Sequence, residues 1–303
     1  MATIIKHPYT APIDFRKTAE DDIVTAFYKN NEVKLIYGGD KKIFESKRLY
    51  TTFTAENGSL YIGNLGSLGN ITEIYIDGVL QKDNEGNNIT SMSLDLTKPT
   101  GIKIKGQFTV QDSTCDMYDF FVADGLESVV YVQNTMFQRC TGITNLDLTY
   151  FNTSTVRTVM QNLFAGCTAL KTVNINNFDV NRVESISSLF NGCKSLESVD
   201  MSNWKNTSNI DWGESLFKDC ISLKSVKLPE FSSLTTIRGM FAGCTALEYV
   251  DMSGIKANGL SLGYVGTALS GVPTDCIVYV NSGFYNKFSP SDLGWPGGTF
   301  IKK

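Results

Sequence analysis

The sequence predicts an α+β repeat solenoid, with one strand and one short helix in each coil, and two observations predict it. Five of the seven cysteines, Cys140, Cys167, Cys193, Cys220 and Cys244, recur in one phrase at spacings of 27, 26, 27 and 24 residues. After each phrase two apolar residues stand two apart: Leu146/Leu148, Val173/Ile175, Val199/Met201, Val226/Leu228 and Val250/Met252. A unit this short cannot bury its apolar face alone, so a fixed period means stacked coils that share one core.

Each element of the coil follows from its spacing. The apolar pairs alternate with polar residues, as a half-buried strand does. Val156, Val159, Met160, Leu163 and Phe164 fall at i, i+3, i+4, i+7 and i+8, which predicts a short helix or helical turn leading into the cysteine phrase. Val183, Ile186 and Phe190, then Leu234, Ile237 and Phe241, repeat a thinner version of that stripe. Phe151, Phe178, Trp204 and Phe231 follow the strand in four units. Three of them, Phe178, Trp204 and Phe231, would suit a glycan groove, but a residue recurring once per coil is expected to form an internal spine. Asp211-Trp212-Gly213 breaks the pattern and predicts an irregular loop. A period of about 20–29 residues with Leu-x-x-Val-x-Ile strands places the coils among leucine-rich-repeat solenoids.

The phrases Leu163-Phe-Ala-Gly-Cys-Thr-Ala-Leu170 and Asn177-Phe178-Asp-Val resemble the BspA-like leucine-rich repeats of bacterial surface proteins, in the variant built on Met-Phe-x-Gly-Cys units. The resemblance covers about residues 115–281. Cys276-Ile-Val-Tyr-Val280, with Gly283-Phe-Tyr-Asn-Lys and Gly294-Trp295-Pro296 behind it, resembles the closing cap of such arrays. The resemblance implies adhesion to host or matrix surfaces and brings no catalytic motif with it.

Upstream the period decays. Cys115 stands 25 residues before Cys140, and Leu126-Glu-Ser-Val129-Val-Tyr131-Val resembles the strand phrase, so 112–134 is expected to be a degenerate first unit. Ile74-Tyr-Ile76, the turn Asp77-Gly78, Met92–Leu96 and Ile102–Ile104 alternate with period two and predict a β-rich cap. Val33–Tyr37 and Leu49–Phe53 are strand-like runs within an N-terminal module. The expected organisation is an arm and β-rich docking module over 1–58, a β-rich cap over 59–111, the solenoid over 112–275 and a C-terminal cap over 276–303.

Composition narrows the chemistry. Twenty-seven basic and 31 acidic residues leave a net charge of −4 without a basic stripe, which argues against nucleic acid. The longest apolar runs, such as Val129–Val132 and Ile277–Val280, reach four residues, against about 20 for a spanning helix. Lys6 and His7 break the N-terminal apolar stretch, so no secretory signal is expected. His7 is the sole histidine, which removes two-His metal sites and leaves a His-based triad without support. Stacked coils bring cysteines within disulfide range. Seven is odd, however, and no Cys-x-x-Cys occurs, so the column is expected to be reduced, buried and structural. Asp112, Asp116, Asp119 and Asp124 lack the spacing of a calcium loop and are expected to be a solvated edge, and Asp83–Asn88 a surface turn. No metal, cofactor or catalytic residue is predicted, and the chain is expected to be non-enzymatic.

Two surfaces are candidates for binding. The outward strand positions Asn145, Thr172, Ser198, Ser225 and Tyr249, with Asp147, Asn174, Asp200, Lys227 and Asp251 two residues on, form a polar strip on the sheet face that solenoids offer to partners. Lys171, Glu197, Lys224 and Glu248 share one repeat position and alternate in sign, so in-register coils place opposite charges on adjacent rungs. The second surface is an extended arm carrying Ile4, Ile5, Tyr9, Ile13 and Phe15, which gains order by docking on a partner. These features fit a bacteriophage virion protein made in the host cytoplasm, serving as fibre, decoration or host-contact module. A secreted or cell-surface bacterial adhesin and an intracellular scaffold are the alternatives. The expected partners are proteins of an assembly and a host-surface protein or glycan, without nucleic acid or membrane insertion. A homo-oligomer is left open.

Overall fold

The computed structural model describes residues 14–17, 23–28, 31–38, 41–43, 50–64, 71–105, 108–122, 135–148, 153, 158–176 and 178–303. The chain divides into two compact units, Met1–Arg48 and Leu49–Lys303. In the first, β1 (Asp14–Lys17), β2 (Ile23–Tyr28), β3 (Asn31–Gly38) and β4 (Lys41–Ile43) form an antiparallel sheet in chain order. The strand-like run Val33–Tyr37 falls within β3. Ile4, Ile5, Tyr9 and Ile13 lie outside the described residues; of Phe15 only the backbone is described, in β1 opposite Ala26.

The second unit opens with eight strands: β5 (Tyr50–Glu56), β6 (Gly58–Asn64), β7 (Glu73–Ile76), β8 (Val79–Leu80), β9 (Met92–Leu96), β10 (Thr100–Lys105), β11 (Phe108–Thr109) and β12 (Asp116–Val122). They pair antiparallel in the orders β12-β5-β10-β7-β8 and β11-β6-β9. Alternation places Phe53, Ala55, Leu60, Ile62, Ile74, Ile102 and Ile104 in the core. The expected hairpin is present: Asp77 and Gly78 both take left-handed conformations, with φ of 47° and 84°, as a two-residue turn of this hand requires.

Nine further strands belong to the coils and the cap: β13 (Asn145–Asp147), β14 (Thr158–Val159), β15 (Thr172–Asn174), β16 (Val183–Ser185), β17 (Ser198–Asp200), β18 (Ser225–Lys227), β19 (Tyr249–Asp251), β20 (Ile277–Val280) and β21 (Phe300–Lys302). They make a β-solenoid of about five turns. On one wall the strands pair parallel in two ladders, β13-β15 and β17-β18-β19-β20-β21, which the Glu197 N–H bridges by donating to the Lys171 carbonyl. On a second wall a ladder runs through β14 and β16 and continues by the bridges Ser185↔Trp212 and Trp212↔Thr236. Trp212 is therefore a rung of a ladder, and the loop expected at Asp211–Gly213 is corrected.

The expected helix in each coil is also absent. Among the described residues the α-helices are α1 (Leu262–Val265) and α2 (Ser282–Lys287), both near the C-terminal end. The segments with the helical stripe are tight turns, and left-handed residues prevent a helix there. Asn162, Ser188, Ser215, Gly239 and Thr267 have φ of 55–62°, and four residues on Gly166, Gly192, Asp219, Gly243 and Gly271 have φ of 59–81°. An α-helix does not pass through two such residues per turn. Hydrogen bonding agrees: Ala165 and Cys167 N–H groups close turns three residues back, whereas Phe164 and Gly166 donate to Leu189 and Asn191 of the next coil at 3.0 and 2.7 Å. The repeated stripe therefore records which side chains enter the core, and the fold is a β-solenoid without α+β character.

Three columns of side chains lie in that core. Phe137, Phe164, Phe190, Phe217 and Phe241 stack with centroids 5.1–5.8 Å apart and planes within 13°. Each such pair contributes about 0.5–1.5 kcal/mol beyond its buried area. Beside them Cys140, Cys167, Cys193, Cys220 and Cys244 are buried and unpaired, and each thiol donates to a carbonyl one coil back, on Val110, Phe137, Phe164, Phe190 and Phe217, at 2.9–3.1 Å. Phe178, Trp204 and Phe231 are buried as an internal spine, and the Trp204 indole donates to the Ile175 carbonyl at 2.9 Å. In the coil after Phe241, Leu269 takes the place of the phenylalanine and Val272 that of the cysteine, because Phe241 and Gly243 donate to Ala268 and Ser270. Upstream, Val110 and Asp112 donate to Met136 and Gln138, which sets Ser113 opposite Cys140. Cys115 thus lies two residues outside the cysteine column it was expected to open.

Replacing Phe190, flanked by rings on both sides, by Ala should lower unfolding free energy by about 3–5 kcal/mol. Leu, which the coil after Phe241 already uses, should cost less; urea denaturation of the two variants checks the order. Gly142 tests the joint between cap and solenoid: a Cβ there would lie 1.9 Å from the Thr114 carbonyl oxygen. Gly142→Ala should therefore destabilise the chain by at least about 1–3 kcal/mol in the same measurement.

Candidate binding surfaces

The first wall brings the predicted strip together. Asn145↔Thr172, Asp147↔Asn174, Ser198↔Ser225↔Tyr249 and Asp200↔Lys227↔Asp251 are register partners. The Thr172 hydroxyl donates to the side-chain Oδ1 of Asn145 at 2.7 Å, and Lys227 Nζ to Asp200 Oδ2 at 2.8 Å. Lys303 pairs with Asp251 and stands 4.6 Å above the Tyr279 ring, itself 5.7 Å from Tyr249. Burial pulls the Asp200 and Asp251 carboxyls upward, but bonds from Lys227 and Ser202, and from Lys303 and Ser253, outweigh it and hold both below the usual range.

The acidic and amide positions of the strip also have a purely local task. Asp200 accepts from Ser202 N–H, Asp251 from Ser253 N–H and Asn174 from Asn176 N–H, at 2.9–3.4 Å, so each side chain turns the chain at the end of its strand. Their recurrence is thus explained by the coil. The hydroxyl column Thr172, Ser198 and Ser225 carries no such duty.

Lys171, Glu197, Lys224 and Glu248 form the expected column: Glu197, Lys224 and Glu248 N–H groups donate one coil back to Lys171, Glu197 and Lys224 at 2.9–3.2 Å. The expected charge pairing does not follow. All four side chains are exposed, and among the described residues the ion pairs are Arg139–Asp112, Lys227–Asp200, Lys256–Glu230 and Lys303–Asp251. Holding two long solvated side chains together costs about what the attraction returns. The upstream acidic run has structural roles as well: Asp112 pairs with Arg139, and Asp116 accepts from the Thr144 N–H and hydroxyl at 3.0 and 2.9 Å. Asp83 closes its own turn by accepting from Glu85 and Asn87 N–H groups. Asp124 and the Asp119 side chain lie outside the described residues.

A second surface was not anticipated. On the other ladder Ser185, Trp212, Thr236 and Tyr264 occupy successive rungs, with Ile237 N–H donating to the Tyr264 carbonyl at 2.9 Å. Two residues on, Gln161, Ser187, Glu214 and Arg238 form a parallel polar row, since Asn162, Ser188 and Ser215 donate to Ser187, Glu214 and Arg238. Trp212, Thr236 and Tyr264 of the first row and Gln161, Ser187 and Glu214 of the second, with Thr235, line a groove of about 620 Å³. Its sequence signal is the pattern break at 211–213, where an aromatic residue stands at an outward position.

Among the described residues no group of three or more His, Cys, Asp or Glu side chains is placed to hold a metal ion, and no helix is long and apolar enough to cross a membrane. The thiols are shielded from ionisation. Burial pushes Cys167 and Cys244 up to about 12, Cys115 and Cys276 up to about 11, and Cys140, Cys193 and Cys220 well above their ordinary value.

Residues 132–253 match a family model. It is described as "Mycoplasma protein of unknown function, DUF285", a family of BspA-like repeats, and the matched span runs from before Cys140 to the end of β19. No curated protein and no solved structure matches the chain.

The cysteine column makes stability depend on alkaline pH. A thiol whose pKa is raised by folding contributes fully below its unfolded value near 9, and that contribution is lost as pH rises toward about 12, because the unfolded chain releases its protons first. The urea midpoint should therefore fall between pH 9 and 11, and Cys193→Ala should flatten that fall. Thiol labelling of the native chain should be slow, and complete after denaturation.

Proposed function

We propose that this chain is a non-enzymatic structural and binding protein whose solenoid is displayed on a larger assembly, with a bacteriophage virion as the first setting. The observation that supports a display role is the common register of β17 to β20: side chains at one repeat position are held in columns from coil to coil. Burial keeps the thiols of the cysteine column neutral, which argues against a nucleophilic role for them. In this reading the hydroxyl column Thr172, Ser198 and Ser225 faces the partner, and residues 1–15 attach the chain to its particle. A secreted surface adhesin is the second reading, favoured by the likeness of 132–253 to BspA-like repeats.

Fractionating the producing cells separates the two. Under the virion reading the chain bands with particles in a density gradient after lysis, and deletion of residues 1–15, which also removes Asp14 and Phe15 from β1, releases it with the solenoid unit still folded. Recovery from the surface of intact cells by protease shaving, without a particle band, would support the adhesin and remove the virion. For the strip, replacing Thr172, Ser198 and Ser225 together by Arg should abolish adsorption of the chain to its target cells at unchanged stability.

A further inference from the structure

We infer that the groove on the second ladder is a binding site for a neutral oligosaccharide, with Trp212 and Tyr264 as its stacking platforms. The inference stands independently of the display role, because it concerns a different wall of the solenoid from the strip.

Three features carry it. The first is aromatic exposure in a chain that otherwise buries its tryptophans: Trp212 is 46% and Tyr264 52% exposed, against 6% for Trp204 and 2% for Trp295. Rigid rings with one apolar face in water suit the C–H face of a sugar while leaving its hydroxyls wet. The second is placement. Trp212 and Tyr264 line the same groove from either side of Thr236: Trp212 is bridged to Thr236, and Tyr264, in α1, accepts from the neighbouring Ile237 N–H through its carbonyl. Between them lies Thr236, which is nearly fully buried, so the small rung forms a floor between two aromatic walls. A sugar chain running along the solenoid axis meets a ring, a recess and a second ring.

The third feature is a row of hydrogen-bonding groups already fixed beside the rings. Thr236 Oγ1 donates to Glu214 Oε1 at 2.9 Å and so orients the carboxylate, whose second oxygen accepts no hydrogen bond from the described residues. Gln161 Nε2 donates to Ser185 Oγ at 2.8 Å, and Ser185 Oγ lies 3.2 Å from Ser187 Oγ. Arg238 donates to the Gly263 carbonyl at 2.6 Å and stands 5.6 Å from the Tyr264 ring, which steadies that platform. A few convergent polar groups around apolar walls are what a preformed small-ligand site contains. The charge selects among sugars: Glu214 is the one charged side chain among the residues that line the groove, and it is a carboxylate. A carboxylate there accepts from the hydroxyls of a neutral hexose and repels the anionic group of a sialylated or sulfated glycan.

The test uses the full chain on an array of neutral and acidic glycans, followed by titration of the best neutral hexasaccharide while following tryptophan emission. Trp212 dominates any change, since the other two tryptophans are buried. Saturable binding of a neutral sugar is expected, weakened at least about tenfold by Trp212→Ala and by Tyr264→Ala with unfolding midpoints unchanged, and several-fold by Glu214→Gln. The inference is overturned if no neutral glycan binds, if an acidic glycan binds more tightly, or if binding survives both aromatic substitutions. It is equally overturned if Trp212→Ala alters self-association in sedimentation and leaves sugar binding intact. Each of these outcomes leaves the particle and surface fractionation unaffected, so failure here is distinct from failure of the display role.

Discussion

The hydrogen bond from one coil to the next is the constraint on which this architecture depends. Each coil is too short to satisfy its own backbone, and along the cysteine phrase every second N–H, such as those of Phe164 and Gly166, is donated to the following coil. That bond sets the register, and the register aligns identical residues. Phenylalanine meets phenylalanine, thiol meets the carbonyl beside the previous ring, and left-handed residues fall at the same two corners each time. Substitution along a column is tolerated where the new side chain keeps both shape and corner. Leu269 and Val272 do so near the C-terminal end, and Val110 and Ser113 near the start.

Much of this was legible in the sequence because the period is printed in the residues that point inward. The strand pairs, the phenylalanine and cysteine columns and the buried aromatic spine could all be placed from spacing. The helix was misjudged for a physical reason. Apolar residues at i, i+3 and i+4 also describe a chain that turns sharply twice and sends every third or fourth side chain inward. The deciding residues, Asn162 and Gly166 and their equivalents, carry no helix-breaking signature stronger than a left-handed preference. Cys115 misled because the distance to Cys140 matched the period, whereas the hydrogen bonds of Val110 and Asp112 determine the register.

The candidate sites were legible in a different measure. The outward strip is where alternation placed it, yet the carboxylates and amides that made it conspicuous largely serve the turns that end their strands. A repeated polar residue on a solenoid is thus ambiguous by construction, because the scaffold and the partner both select for recurrence. The groove on the second ladder reverses this logic. The Trp212 and Tyr264 side chains do not recur along the coils and are largely exposed, although their backbones continue the ladder, and Trp212 stands where the pattern looked broken. In a repeat protein, the departure from the period is the more informative sign of selection on the surface.

The coil-to-coil hydrogen bonds also give the molecule a particular response to force. They lie along the solenoid axis, so tension applied between its ends loads one rung of bonds at a time and does not shear the whole ladder together. With about 24–27 residues per coil, each release lengthens the chain by roughly 90 Å. A solenoid of this construction yields in steps, taking up extension coil by coil while the remaining rungs keep their register.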